Sequence, residues 1–450
     1  MSGLYQILQE HSTFYLILQL VIVLGAIFLG ARAGSIGIGY AGGLGVFALA
    51  LIGVKPGGIP MDVILVIMSV IAAIGAMQVA GGIDFLVVVT ERLLRRHPKY
   101  ITYLAPIVTY LMTLMAGTGH TAFSTLPVIA EVAKEQGVRP SRPLSIAVVA
   151  SQVAITASPI SAAVVFFSGA LEKQFPGVGY IDLLMICIPT TLLAVILTSF
   201  LANKLGKELK DDPIYQERLA KGLVTMRGVS NIPVTAMGKR SVWIFLVAII
   251  AVMLYATLIS DKVGWIAKEN IVLSRDQAIY VFMLSAATAI TFLCKIDAAK
   301  VLKASTFQSG MSACVCILGV AWLGTTFVSA HEASIKDLAG EVLNHAPWLL
   351  AVALFFASML LYSQAATARA LMPLAISIGA APVTLIASFA AVSALFVLPT
   401  YPTLLAAVEM DDTGSTRIGK YVFNHPFFIP GVVCITLSVL FGFIFAGIIL

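Results

Sequence analysis

Apolar runs long enough to cross a lipid bilayer recur along nearly the whole chain. A spanning helix needs about 20 mostly apolar residues. Runs of that kind cover 14–31, 35–54, 61–80, 179–203, 241–260, 276–294, 309–330 and 427–450. A water-soluble fold could not hide so many greasy segments with so few charges. Only 11% of the 450 residues are charged and 59% are hydrophobic, against about 25% charged in a soluble domain. A soluble enzyme, a disordered chain and a nucleic-acid binder are thereby excluded. Outer-membrane barrels alternate polar and apolar residues and are less apolar than this. The expected fold class is an all-α polytopic membrane protein.

Two further regions, 100–170 and 346–409, are apolar but interrupted by small, polar and proline residues. Lysine and arginine decide how they thread. With the loop 204–240 cytoplasmic, the segments 31–34, 91–99, 131–142, 295–303 and 410–420 fall on the same side. Together these hold 21 of the 28 Lys/Arg, the opposite side holds 6, and Arg369 lies at membrane depth. That asymmetry is a strong positive-inside signal, and it puts both termini outside the cytoplasm. It works only if 100–136 and 346–379 are re-entrant hairpins of opposite entry. The first turns at Gly117-Thr118-Gly119-His120 and the second at Ser363-Gln364-Ala365-Ala366-Thr367. The net charge of +6 then belongs to cytoplasmic loops. The first apolar run lacks a basic leader and reads as a retained span. Cys187, Cys294, Cys314, Cys316 and Cys434 lie in or beside apolar runs without metal or redox spacing, and read as reduced packing residues.

The interrupted regions resemble each other. Each has a polar tip, a proline in the returning arm (Pro127, Pro373), a helix, and a proline break at mid-membrane (Pro159, Pro399). Inverted repeats with broken helices are the pattern of secondary transporters. A break at membrane depth frees backbone groups that cost several kcal/mol each unless satisfied. Such breaks persist where they line a polar cavity or bind something.

Four elements therefore form the candidate substrate-binding site. The first tip supplies Thr118, Gly119, His120 and Thr121. The first break supplies Thr156, Ser158 and Ser161. The second tip supplies Ser363, Gln364 and Thr367, and the second break Thr400, Tyr401 and Thr403. Hydroxyls donate and accept, so they could hold a carboxylate, or they could simply cap interrupted helices. Arg369, two residues past Thr367, is either a counter-charge for an anion or a snorkelling side chain. His120 could bond substrate, titrate, or satisfy local backbone. Asp411 and Asp412, after the second break, read as solvated cytoplasmic acids unless they reach into the cavity.

Gly37-Ile-Gly39-Tyr-Ala-Gly42 fits G-x-G-x-x-G but sits in an apolar span, not between a strand and a helix. Close helix packing is the better reading, with Gly39 and Gly43 as a small-xxx-small pair. The polar loop 204–240 is too short for a domain and reads as the linker between the halves. The expected organisation is scaffold helices in 1–99, a first repeat in 100–170, a membrane helix in 171–203 and the linker 204–240. Scaffold helices follow in 241–345, a second repeat in 346–409, then a cytoplasmic loop and last helix in 410–450. No catalytic dyad or cofactor motif is present, so an enzyme is not expected.

The runs AGTGHTAFSTLPVIAEVAKEQGVRPSRPLS, ITASPISAAVV, GMSACVCILGVAWLG, LLYSQAATARALMP and LPTYPTLLAAVEMDDTGSTRIGKYVFNHPFFIPG resemble the anaerobic C4-dicarboxylate uptake (Dcu) family of bacteria over nearly the whole chain. The resemblance implies an inner-membrane carrier of fumarate, succinate, malate and aspartate, commonly exchanging fumarate for succinate in anaerobic respiration, with periplasmic termini. Many members carry Asn where this chain has His120, and some carry Lys in place of Arg369. More distantly the hairpin-and-break repeat is similar to the ion transporter superfamily, which implies an elevator mechanism and a homodimer. No cofactor is implied, and coupling to sodium or protons stays open. The alternatives are an ion-coupled symporter and a small-anion channel. The expected partners are small dicarboxylates and membrane lipid, with no nucleic acid. A separate sensor kinase as partner would leave no mark in the sequence.

Overall fold

The computed structural model describes residues 12–33, 36–59, 61–225, 233–259, 263, 265–331, 346–361, 363–399, 401–420 and 423–450. Among these no strand occurs, and six helices are long and apolar enough to cross a membrane, the broken helix over 141–174 counted whole. Arg227, Lys262, Lys336 and Thr400 lie outside the described residues, as does the side chain of His120.

One set of helices comprises α1 (Ser12–Ala33), α2 (Gly37–Leu51) and α3 (Met61–Val79). The chain then turns by 74° into α4 (Gly82–Arg96). Gly81 makes the corner at φ +84°, which glycine adopts without β-carbon strain. The basic segment 91–99 therefore continues a helix through Arg96 instead of being loop. Ile83, Val87 and Leu94 bury one face of α4, while Arg92 and Arg96 stay exposed. Arg95 pairs with Glu91 at 2.8 Å and with Glu135 of the next hairpin.

The set is completed by α11 (Ala236–Leu258), α12 (Arg275–Leu293), α13 (Ser305–Cys316) and α14 (Trp322–Ala330). A π-turn, Ile317–Ala321, joins the last two. Here α2 crosses at backbone contact. A β-carbon on Gly319 would lie 1.8 Å from the Gly39 carbonyl oxygen, and one on Gly42 would lie 2.4 Å from the Gly319 carbonyl carbon. Close packing is thus the use of these glycines, but the working pair is Gly39 and Gly42. Gly43 has nothing within 4 Å of its β-carbon position, because it faces away from the crossing.

The second set holds the interrupted regions. The first contains α5 (Ile101–Ala116), a tip, α6 (Ala122–Glu135), α7 (Ser141–Val153), a 3-10 turn (Ala154–Ala157), a break, and α8 (Ala162–Gln174). The second contains α15 (Leu349–Leu361), a tip, α16 (Gln364–Ser377), α17 (Pro382–Ser388), a 3-10 stretch (Phe389–Phe396), a break, and α18 (Pro402–Met410). Pro127 and Pro373 fall inside the returning arms α6 and α16. Helices α9 (Tyr180–Ala202) and α19 (Phe428–Ile449) pack on one another and on both regions. A β-carbon on Gly442 would sit 2.8 Å from the Ala387 Cα, and Tyr110 Oη meets Thr191 Oγ1 at 2.8 Å.

The described part of the linker before residue 226 is folded and docked. A 3-10 turn, Leu209–Asp211, precedes α10 (Pro213–Ala220). Arg139 donates to Asp212 at 2.5 Å, with side chains only 9% and 2% exposed. Arg142 donates to the Leu205 and Gly206 carbonyls at 2.8 and 3.0 Å, capping the end of α9. Asp412 accepts from Lys134 and from the Thr225 N–H, both at 3.0 Å. Asp411 is 4% exposed and closes its own loop by accepting from Thr413, Ser415 and the Thr416 N–H. Asp411 is buried and Asp412 only partly exposed, and both are tied down rather than simply solvated; sequence could not show their distant or looped-back donors. Burial alone would push the carboxyls of Asp212 and Asp412 up. The N–H of Ile214 with Arg139, and the N–H of Thr225 with Lys134, instead hold them below the ordinary carboxylate value.

Candidate functional site

The first tip forms because Gly117 closes α5 in the left-handed region at φ +68°, its N–H donating to Thr113 at 2.8 Å. Residues Gly119–Thr121 make one 3-10 turn before α6. The tip sits on the first break. A β-carbon on Gly117 would lie 3.0 Å from Ile160, and one on Gly119 3.1 Å from the Ser151 carbonyl oxygen.

The first break is held by side chains. Ser158 and Ser161 are extended, at ψ 126° and 140°. Ser158 donates to the Leu114 carbonyl at 2.7 Å, and Tyr180 donates to the Pro159 carbonyl at 2.7 Å. Ser161 donates to the Ile155 carbonyl at 2.7 Å and caps α8 by accepting from the Val164 N–H. At the second break, His425 Nε2 donates to the Val397 carbonyl at 3.2 Å. Ser358 bridges the Ala391 carbonyl and the Ala394 N–H, both at 3.1 Å. Helix ends that would otherwise be costly in lipid are thus satisfied locally.

The second tip is capped by Ser363, which accepts from the Ala366 N–H at 3.2 Å. Gln364, 4% exposed, donates from Nε2 to the main-chain oxygen of Gln152 at 3.2 Å. Gln152 Nε2 in turn reaches Thr403 Oγ1 at 3.5 Å. Gln152, in the last turn before the first break, therefore links the second tip through its main-chain oxygen and the second break through its side-chain amide, and the first tip lies against the same helix at Ser151. Gln152 was missed from sequence. Its signal was there: a large amide inside an otherwise small and apolar run at membrane depth, where polar residues are rarely idle.

Five hydroxyl protons of this cluster are committed. Thr121 donates to Thr118, Thr156 to Val153, and Thr367 to Ser363, at 3.2, 2.8 and 2.8 Å. With Ser158 and Ser161 spent likewise, these groups offer lone pairs rather than donors. Donors for a carboxylate can come from the Ser363 and Thr403 hydroxyls, which accept from the Ala366 N–H and from Gln152 Nε2, and from backbone N–H groups, amides and Arg369. Arg369 is half-buried, with its guanidinium 5.2 Å from the ring centroid of Phe166 on α8, a cation–π distance. Among the described residues no His/Cys/Asp/Glu group is arranged to hold a metal ion.

Between the two sets of helices, Arg275 at the start of α12 donates to Glu172 at 2.6 Å and Ser168 at 2.9 Å on α8. Its guanidinium also lies 4.7 Å from the Tyr180 ring centroid.

Many apolar helices, two of them broken at polar junctions and served by paired tips, define a multi-pass membrane transporter rather than an enzyme. The same overall fold is found in the YdaH transporter of Alcanivorax borkumensis, with a TM-score of 0.53 at 14% identity over 97% of this chain and 98% of that one. MtrF of Neisseria gonorrhoeae gives 0.53 at 12% identity, covering 89% and 84%. The sequence model of the anaerobic C4-dicarboxylate membrane transporters matches residues 15–450, and the chain belongs to that family. It is 66% identical over 436 residues to the C4-dicarboxylate transporter DcuA of Wolinella succinogenes, covering 97% of this chain and 100% of that protein. It is 61% identical to DcuA of Escherichia coli K12 over 95% of this chain and 98% of that protein. Identity to the anaerobic C4-dicarboxylate transporter DcuB of Escherichia coli O6:H1 is 37%, over 96% and 98%.

Proposed function

We propose that this chain is a secondary carrier of fumarate, succinate, malate and aspartate that works by exchanging one dicarboxylate for another across the bacterial inner membrane. The observation that carries the reading is the junction at Gln152, which joins the second tip and the second break to the helix that leads into the first break. The tips Thr118–Thr121 and Ser363–Thr367 close over the substrate. The breaks Thr156–Ser161 and Pro399–Thr403 present half-helix ends to its two carboxylates. Arg369 supplies the fixed positive charge. A bare site of this kind moves poorly, which makes exchange obligatory and, between two dianions such as fumarate and succinate, keeps the charge of the cycle balanced.

Residues 100–170 and 346–409 form an inverted pair and the moving body. The packing of α9 and α19 on both regions supports counting those helices with it. The helices of 1–99 and 241–345 form the scaffold, in a homodimer, with both termini periplasmic and 204–240 as the cytoplasmic linker. No cofactor takes part. The lone pairs left by the committed hydroxyls support a second reading, symport coupled to sodium or protons.

The test is counterflow in liposomes. Vesicles preloaded with fumarate should take up labelled succinate, and chloride-loaded vesicles should not. Equal uptake in both would point to uniport or a channel. Arg369→Gln should weaken succinate binding, and unchanged affinity would remove Arg369 from the site.

A further inference from the structure

Gln152 sits in the last turn of α7, just before the first break, and is 1% exposed. Its Nε2 and main-chain oxygen both have partners, but its side-chain oxygen Oε1 is buried with no hydrogen-bond partner among the described residues. A buried acceptor left without a donor is destabilising, so natural folds keep few of them without a use. The fold itself does not demand an amide here. By the offset that relates Pro159 to Pro399, the matching residue of the second region is Val392, fully buried and apolar. The hydroxyls beside it on the same helix and turn are spent elsewhere, and Thr403 meets the Nε2 end of the amide. Ser151 donates to Val148 at 2.7 Å and Thr156 to Val153 at 2.8 Å.

A donor that arrives with the cargo would complete it. An unsubstituted C4-dicarboxylate dianion brings only carboxylate oxygens and C–H bonds, which cannot satisfy an amide oxygen. A C4-dicarboxylate with an amino or hydroxyl group on C2 brings a donor. We propose that Gln152 Oε1 is the acceptor for that C2 substituent, the α-ammonium above all, and that Gln152 sets the preference between substituted and plain dicarboxylates. This rests on the dicarboxylate reading above. The ammonium is favoured over the hydroxyl because a charge-assisted bond is the stronger one.

The experiment is inhibition of labelled succinate counterflow by unlabelled aspartate, malate, fumarate and succinate, in wild type, Gln152→Leu and Gln152→Glu. Leucine keeps the bulk and removes the acceptor; glutamate keeps acceptors in place. Gln152→Leu should raise the half-inhibitory concentration of aspartate by about 10–100-fold more than it raises those of fumarate and succinate, with malate in between. Gln152→Glu should retain aspartate binding while losing fumarate. Ligand-induced thermal stabilisation of the purified protein reads binding apart from translocation, so a folded variant that no longer transports is still informative. Equal losses for all four substrates would overturn the assignment, placing a carboxylate or mere packing at this amide. Equal losses with sodium dependence abolished would also overturn it, in favour of an ion. A wild-type protein that exchanges no dicarboxylate would bring down the underlying functional reading instead.

Discussion

Replacing Asp212 by asparagine removes one negative charge from a buried site without changing its shape. Asp212 is 2% exposed and faces Arg139, 9% exposed, at 2.5 Å, with Arg417 at 3.3 Å. Arg139 keeps neutral acceptors in the Lys207 carbonyl at 3.3 Å and Ser141 Oγ at 2.9 Å. Removing one partner of a buried ion pair costs about 3–5 kcal/mol, because the other charge is left uncompensated. Those neutral acceptors put Asp212→Asn near the lower end, about 3 kcal/mol. At roughly 2 °C per kcal/mol for a chain of this size, the melting temperature should fall by about 6 °C. Removing both charges, in Asp212→Asn with Arg139→Met, should recover much of that loss, since no buried cation then lacks a counter-ion. Thermal unfolding in detergent, read by intrinsic fluorescence, measures all three variants. An Asp212→Asn protein melting within about 1 °C of wild type, or a double variant as unstable as the two single losses added, would refute the idea that this pair pins the linker.

Other outcomes follow from the same geometry. Gly42→Leu should abolish stable folding, since its side chain would enter the Gly319 backbone, whereas Gly43→Leu should be near neutral; expression and melting temperature in detergent separate them. If α8 slides past α12 during transport, the Arg275–Glu172 pair must break in every cycle, so Arg275→Gln should speed exchange; slower exchange would count against sliding. Asp212 and Asp412 titrate below their unfolded value of about 4. Their stabilisation is therefore full above about pH 4 and is lost as pH falls through the depressed folded values. Protease cutting at the linker should accordingly rise only in strongly acidic buffer, and a rise between pH 5 and 6 would assign the docking to other groups.

The spans were legible because nothing but lipid explains so many apolar runs. The tips and breaks were legible because Gly117, Pro159, Ser363 and Pro399 are helix-breaking or capping residues at membrane depth. What sequence hid was pairing across distance and facing across a crossing. Asp412 looks like any loop acid until Lys134 is folded onto it. A four-residue glycine spacing looked like the packing face, yet the angle of the crossing selects Gly39 and Gly42 and turns Gly43 away. The basic residues of 91–99 drew attention from the Ile83, Val87 and Leu94 stripe that makes α4 a helix. The committed hydroxyls are a further case, since composition counts oxygen atoms without showing where their protons point.

The docked linker also fixes an order of assembly during synthesis. Arg139 meets Asp212 after 73 more residues have been made, but Lys134 meets Asp412 only after 278 more. The first half can therefore anchor the start of the linker while the ribosome is still translating the second. Lys134 waits with its neighbour Glu131, 2.9 Å away, as its early counter-charge. Maturation has two stages, an early clasp within the first half and a late one that closes when the loop after α18 emerges. A chain cut short before residue 411 would stop at the first.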